Sequence, residues 1–502
     1  MNIKRAKEEI RNTVKAYLAN DESGRPLISR VHQRPILLIG APGIGKTAIM
    51  EQTAHECGIA LVAYTMTHHT RQSALGLPQI CHEQFDGQDI TVTEYTMSEI
   101  IASIYKKEKE TGLRQGILFI DEINCVSETL TPVMLQFLQE KTFGSHRIPD
   151  GWIICAAGNP PEYNRSVREF DVVTLDRVKK IEVEPDYPVW REYARTAGVH
   201  GSILAYLDAR QENFYKVEST PEGRRFVTAR GWEDLSELMK AYEKTGLEVD
   251  DEVIGEYLQD PVIAEDFANF LTLYRKYEER YNVSDILRGK QSPQVDARVD
   301  EAPFDERISI VSMLLSGLHR SFTEAWIADR KTDTLFRVLK KVQKADDTGA
   351  FAKIVREEAD SFRKSNLAAG LSREEETAGD QALTLLDDWN GQLAGQTFDS
   401  PAEQFEFLRK NFLQVTQERE EATEEAGKRL ACAFDFLEKH FSPAGVPGPE
   451  MILFVTELAA GYYSLWFLET EGSDTFDRYN AMLKIDSGRE KLQERIRSAR
   501  EN

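Results

Sequence analysis

Cysteine is scarce: Cys57, Cys81, Cys125, Cys155 and Cys432 are the only five in 502 residues, an odd number with no CxxC pair. That argues against a disulfide framework or a cysteine-based zinc site and suits a reducing compartment. Basic residues are also short, 62 Lys+Arg against 84 Asp+Glu, for a formal net charge of −22. Such a balance disfavours a surface that grips nucleic acid or an anionic membrane over its whole extent, while leaving room for a local basic groove. The acidic excess is concentrated in 251–502, which hold 48 acidic and 32 basic residues. Low-complexity tracts and repeats of fixed period are missing. So are long apolar runs: the nearest is 451–468, which is short for a bilayer, carries Glu457 and Gly461, and is expected to be a buried helix. No secretory signal is visible. Residues 3–18 instead set Ile3, Ala6, Ile10, Val14 and Tyr17 at three-to-four spacing between charges, an amphipathic helix. The expectation is a cytoplasmic protein.

What is present is enough chain, at 57.1 kDa with 41% apolar and 29% charged residues, for two or three folded domains. Residues 35–184 alternate apolar runs (Ile36–Ile39, Ile59–Tyr64, Ile117–Ile120, Trp152–Ala157, Val178–Val183) with helix-length segments. Near-continuous apolar strands separated in this way predict an α/β domain with a parallel sheet covered on both faces. The stretch from His68 to Val92 breaks the rhythm and reads as loop or hairpin. After Pro185 the strand signal disappears and the period becomes helical, as in the stripes Phe267, Phe270, Leu271, Tyr274, Tyr277, Tyr281 and Ile308, Val311, Leu315, Leu318, Phe322. Polar stretches at 290–304 and 364–380 read as linkers. The expected organisation is an α/β domain over 1–186, an all-helical lid over 187–288 and an all-helical partner-binding region over 289–502.

The strand Ile36–Ile39 runs into Gly40, Ala41, Pro42, Gly43, Ile44, Gly45, Lys46 and Thr47, and then into a helical pattern. This is GxxxxGK[ST] with a strand before it and a helix after it. Glycines let successive backbone N–H groups converge on a phosphate, and the helix N-terminus adds positive potential. Lys46 would reach the β/γ-phosphates of a nucleotide and the Thr47 hydroxyl would ligate Mg²⁺. Seventy-five residues beyond Lys46, the strand Ile117–Ile120 ends in Asp121-Glu122. Asp121 would hold Mg²⁺, mostly through water, and Glu122 would orient and deprotonate an attacking water. A built-in water-activating base favours hydrolysis over transfer to a metabolite. The absence of an NKxD guanine signature disfavours a Ras-like GTPase.

The strand Trp152–Ala157 leads to Asn159, whose amide could contact the γ-phosphate or the attacking water. Arg177 precedes the next strand and could reach a neighbouring subunit's nucleotide, with Arg165 and Arg168 as further candidates. As a bland alternative, Arg177 pairs with Asp171 or Asp176. Arg230, at the start of a helical pattern after Thr228-Ala229, could fold back over the γ-phosphate. His68-His69 are too close together to share a metal easily and read as a polar loop. Residues 141–150 (KTFGSHRIPD) read as a hairpin, and the charged tail around Lys491, Arg495, Arg497 and Arg500 as a solvated helix face.

In this order, the loop GAPGIGKT, the strand ILFIDEI, the turn AAGNPPEY, LDR before the last strand and an arginine on a lid helix resemble the AAA+ ATPases, and more narrowly their MoxR-like group. The resemblance covers roughly residues 30–245. It implies a P-loop fold that binds ATP and Mg²⁺, with Gly40–Thr47 as Walker A, Asp121 and Glu122 as Walker B, Asn159 as sensor 1, Arg177 as arginine finger and Arg230 as sensor 2. In that group the sensor 2 arginine usually follows Ser-Pro, where this chain has Thr228-Ala229. The resemblance further implies a homo-oligomeric ring, usually hexameric, partners with von Willebrand A domains, and substrate-facing loops in an insert at about 67–95. The function expected is ATP-driven protein remodelling or assembly. A nucleic-acid motor or McrB-like restriction NTPase is the alternative, with the net charge against it.

Overall fold

The structure, a computed structural model, describes residues 1–66, 74–85, 88–143, 146–163, 167, 170–220, 223–345, 350–369, 371–396, 398, 400–442 and 445–483. The chain divides into two compact units. One comprises Met1–Val189, Thr228–Arg230 and Ala359–Ser372; the other comprises Trp190–Val227, Gly231–Glu358 and Arg373–Asn502.

In the first unit the strands are β1 (Ile36–Gly40), β2 (Ala60–Thr65), β3 (Pro78–Phe85), β4 (Gln88–Tyr95), β5 (Gly116–Asp121), β6 (Thr142–Phe143), β7 (His146–Arg147), β8 (Trp152–Gly158) and β9 (Lys179–Val183). Five of them form a sheet in the order β2-β5-β8-β1-β9, every pairing parallel. The apolar runs dictate this arrangement. β8 is buried along its whole length and β5 up to its last residue, so both faces need cover. Helices Glu99–Thr111 and Thr131–Glu140 supply Ile100, Ile104, Met134 and Phe137 to a core shared with Leu37, Leu118, Ile120 and Ile154 of the strands. The expected N-terminal helix is Ile3–Leu18; Ala6, Ile10 and Val14 are buried, and the Asn2 side chain caps it by accepting from the Arg5 backbone N–H. Outside the sheet, β3 and β4 form an antiparallel hairpin within the expected insert, and β6 and β7 form the expected second hairpin. His68, His69 and the second hairpin's tip, Gly144-Ser145, lie outside the described residues.

The second unit is mainly helical, built on two long helices, Phe304–Ala345 and Pro401–Phe441. Four expectations need correcting here. The region 187–288 is not wholly helical: β10 (Lys216–Thr220) and β11 (Gly223–Val227) pair as an antiparallel hairpin. Within β10 and β11 Val227 alone is buried, so an apolar pattern had little to mark them. The stretch 290–304 is not a linker but holds the helix Pro293–Asp300, capped by the Ser292 side chain. Val295 and Val299 are its buried face, and His440 pins it from outside, with Nδ1 2.6 Å from Asp300 Oδ1 and Nε2 3.0 Å from Asp296 Oδ1. Similarly, 364–380, whose part up to Ser372 belongs to the first unit, is largely taken up by the helices Ala350–Ala369 and Arg373–Ala394. The segment 451–468 is not one helix but parts of two, Pro449–Ala460 and Tyr462–Glu471, meeting at 88°. Ser464 Oγ donates to the Leu458 carbonyl at 2.7 Å and secures that corner. Among the described residues no single helix is long and apolar enough to cross a membrane; the bent pair passes only when taken together.

One apolar cluster unites Tyr274, Tyr281 and Ile286 with Val299, Leu314, Phe322, Phe434, Phe454 and Phe467. The Phe304–Ala345 face that enters it includes Ile310, Val311, Leu314, Leu318, Phe322 and Trp326, with Leu315 only partly buried against it. The expected boundary at 288/289 falls inside this cluster. Placing a carboxylate in it by Val299→Asp should therefore cost on the order of 3 kcal/mol or more. It should also lower hydrogen-exchange protection in the helix Pro261–Tyr281 as well as beyond residue 304. Protection of Pro261–Tyr281 unchanged from wild type would show that the two sides fold independently.

Candidate active site

Parallel pairing brings the carboxyl ends of β5, β8 and β1 to one edge, with Ile120 opposite Ala156 and Ile39 opposite Gly158. Outside the carboxyl ends of an open α/β sheet is where such folds hold ligands. β1 passes into a loop and then the helix Lys46–Cys57. Within that loop Gly43 has a φ of +72°, and a Cβ there would also lie 3.0 Å from Thr228 Oγ1, so the position suits glycine alone. Ala41 and Ile44 are buried, while Pro42 is half-buried.

Lys46 occupies the first turn of the helix with only 8% exposure. Its Nζ donates to the carbonyls of Gly40 and Ala41 and to Asn159 Oδ1, each at 2.8 Å. All three acceptors are neutral. Burial is the main influence on its pKa and lowers it to about 8; Asp121 pushes the other way, Arg230 adds to the lowering, and Glu122 opposes it. Beside it, Thr47 Oγ1 donates to Asp121 Oδ2 at 3.1 Å. The other oxygen of Asp121 accepts from the Glu122 backbone N–H at 2.9 Å. Glu122 holds a left-handed backbone, φ 54° and ψ 37°, an uncommon conformation for a residue with a Cβ and one that recurs at functional sites. It turns the chain sharply off the end of β5 and leaves the Glu122 side chain half-exposed.

Lys46, Thr47, Asp121 and Asn159 therefore form one connected group, with Glu122 on its rim. Arg230 joins through its backbone, whose N–H donates to the Gly43 carbonyl at 3.2 Å, while its side chain is exposed. Arg177 stands outside the group: its exposed guanidinium donates to the side-chain oxygen of Gln139 on the helix Thr131–Glu140. Among the described residues no carboxylate comes within ion-pair distance of Arg177, so the expected alternative of a pair with Asp171 or Asp176 is not formed. Arg165 and Arg168 lie outside the described residues. The sequence reading missed Asn124, which donates from Nδ2 to the Asn159 backbone carbonyl at 2.8 Å. The one signal available was an amide two residues past the acidic pair that ends an apolar strand.

A buried ammonium held by neutral acceptors, a helix N-terminus and a hydroxyl–carboxylate pair together suit the polyphosphate of a nucleotide. Thr47 and Asp121 also make an oxygen-donor pair of the kind Mg²⁺ favours.

This arrangement makes nucleotide binding proton-linked. Lys46 in the free protein loses its proton around pH 8, whereas phosphates beside it would hold the proton to higher pH. Binding should thus take up protons as the pH rises past about 8, and affinity should fall over the same range. Calorimetry in buffers of different ionisation enthalpy measures that uptake. The Lys46→Ala variant should bind more weakly and lose the linkage; uptake identical to wild type would assign the proton to another group.

Residues 36–175, from the start of β1 to the end of the short helix Val172–Leu175, match the family model described as "ATPase family associated with various cellular activities (AAA)". No curated protein matches the chain. The first unit carries an AAA ATPase domain, and the protein is an ATPase.

Proposed function

We propose that this chain is a MoxR-like AAA+ ATPase that works as a ring, hexameric as is usual in that group, and couples ATP hydrolysis to remodelling or assembly of a protein partner. The observation that carries the catalytic part is the connected group Lys46–Asn159 and Thr47–Asp121, which joins the three strand tips at the carboxyl edge. Gly40 to Thr47 cradle the phosphates, and Lys46 exchanges its neutral acceptors for phosphate oxygens. Thr47 and Asp121 would hold Mg²⁺, which supplies charge neutralisation on the phosphates when bound. Glu122, set at the rim by its left-handed backbone, orients the attacking water and takes its proton. Asn159 contacts the γ-phosphate or that water, and Arg230 reaches over the phosphates from the first turn of the helix Ala229–Thr245.

Arg177 acts in a neighbouring copy. Its exposure and its neutral partner Gln139 support this, because breaking a bond to an amide costs less than leaving a carboxylate unpaired. The acidic, helical 289–502 would carry the surface for a protein partner, with a von Willebrand A domain as the candidate that the MoxR-like resemblance supplies.

Glu122→Gln should keep ATP affinity and lose about 10²–10⁴-fold in turnover, because phosphate contacts remain while the base is gone. Turnover within threefold of wild type would remove Glu122 from that role. Arg177→Ala should lose turnover on the order of 10³-fold with affinity intact. Mixing the two inactive variants should restore part of the activity, since some interfaces then combine an intact Glu122 with an intact Arg177. A mixture that stays inactive, although native gels show mixed assemblies, would exclude Arg177 as the residue acting between copies.

A further inference from the structure

The loops that carry Glu122 and Asn159 are tied together by a residue to which neither the phosphate chemistry nor the expected motifs give a role. Asn124 lies in the short turn Ile123–Cys125 directly after Glu122 and is 6% exposed. Its Nδ2 donates to the Asn159 backbone carbonyl at 2.8 Å. That acceptor fixes which way the amide faces, because turning it over would set Oδ1 against a carbonyl oxygen. In this orientation Oδ1 is buried with no hydrogen-bond partner among the described residues. A buried acceptor left unpaired is uncommon and calls for a reason. Gly158, just before Asn159, packs directly against the same amide: a Cβ there would lie 2.5 Å from Oδ1, 2.8 Å from Cγ and 3.0 Å from Nδ2. Gly158 is not among the glycines with positive φ, so the Asn124 amide, not the backbone, is what excludes a larger residue.

We propose that Asn124 is a positioning residue for hydrolysis. With Gly158 it fixes the backbone at the tip of β8 so that the Asn159 side chain faces the Lys46 ammonium, and it makes the Asn159 tip move as one with the tip that carries Glu122. This rests on the reading of Asn159 as a contact to the γ-phosphate or the attacking water. Since Asn124 acts through Asn159 and, among the described residues, makes no hydrogen bond to the phosphate loop, its loss bears on turnover and leaves nucleotide binding alone.

The test uses full-length protein and compares Asn159→Ala, Asn124→Ala, Asn124→Asp and the Asn124→Ala/Asn159→Ala double variant, with kcat from steady-state ATP hydrolysis, affinity from nucleotide titration and thermal melts alongside. Asn124→Asp keeps the shape and replaces the donor with a carboxylate oxygen. Both Asn124 variants should lose about 10- to 100-fold in kcat while affinity stays within about threefold, the scale expected of a small misplacement of a reacting group. The double variant should be no slower than Asn159→Ala, because once the side chain is gone its direction no longer matters. Should Asn124→Ala not fold, Gly158→Ala examines the same contact from the other side, since its methyl group displaces the amide. Wild-type kcat in Asn124→Asp beside an impaired Asn159→Ala would overturn the proposal and leave the role of Asn159 standing. Losses that multiply in the double variant would also overturn it. An unimpaired Asn159→Ala would remove the Asn159 reading, and the proposal with it.

Discussion

Lys46 has to keep a positive charge where water scarcely reaches. Its three N–H groups are taken up by two backbone carbonyls and one side-chain amide, with no carboxylate among the described residues bonded to it, and burial pulls its pKa down to about 8 as a result. A cation in such a place is stable enough to persist and poorly enough compensated to favour the arrival of phosphate. The sheet is what sets up that point. β1 has to lie beside β8 in the register that brings Asn159 next to the loop, and β8 has to lie beside β5 so that Asp121 meets Thr47. Those pairings are parallel and run through the middle of the sheet, which is why the strands are apolar almost without interruption.

Because that constraint is written in short, near-continuous apolar runs and a glycine-rich loop, it was legible from the sequence. All five sheet strands, the phosphate loop and the acidic pair stand where spacing placed them. What was not legible is how the polar tips are joined. Lys46 and Asn159 are 113 residues apart, and Asn124 and Asn159 are 35 apart. A hydrogen bond between two amides leaves no periodic trace. The surroundings of Arg177 were hidden for the same reason, since its partner Gln139 sits on a helix whose apolar pattern says nothing of its outer face.

The second unit was harder to read because helical periodicity reports a buried face without saying what covers it. Pro293 and Ser292 read as breakers, yet proline at the first helical turn after a capping serine starts a helix as well as it ends one. The two valines that anchor that helix are too few to form a stripe. Likewise, the apolar content of 451–468 runs on through Gly461 without marking the corner, although Phe454 and Phe467 on either side of it enter the same cluster. The hairpin β10–β11 buries only Val227 and had no apolar alternation to announce it.

The claim on which the functional account stands is that the group around Lys46 is where ATP binds and is cleaved. A crystal structure with a non-hydrolysable ATP analogue and Mg²⁺ tests this most directly. The account predicts that Lys46 Nζ leaves the Gly40 and Ala41 carbonyls for phosphate oxygens, and that the metal parts the Thr47–Asp121 hydrogen bond. An analogue bound elsewhere, or bound here with all three Lys46 contacts unchanged, would contradict it.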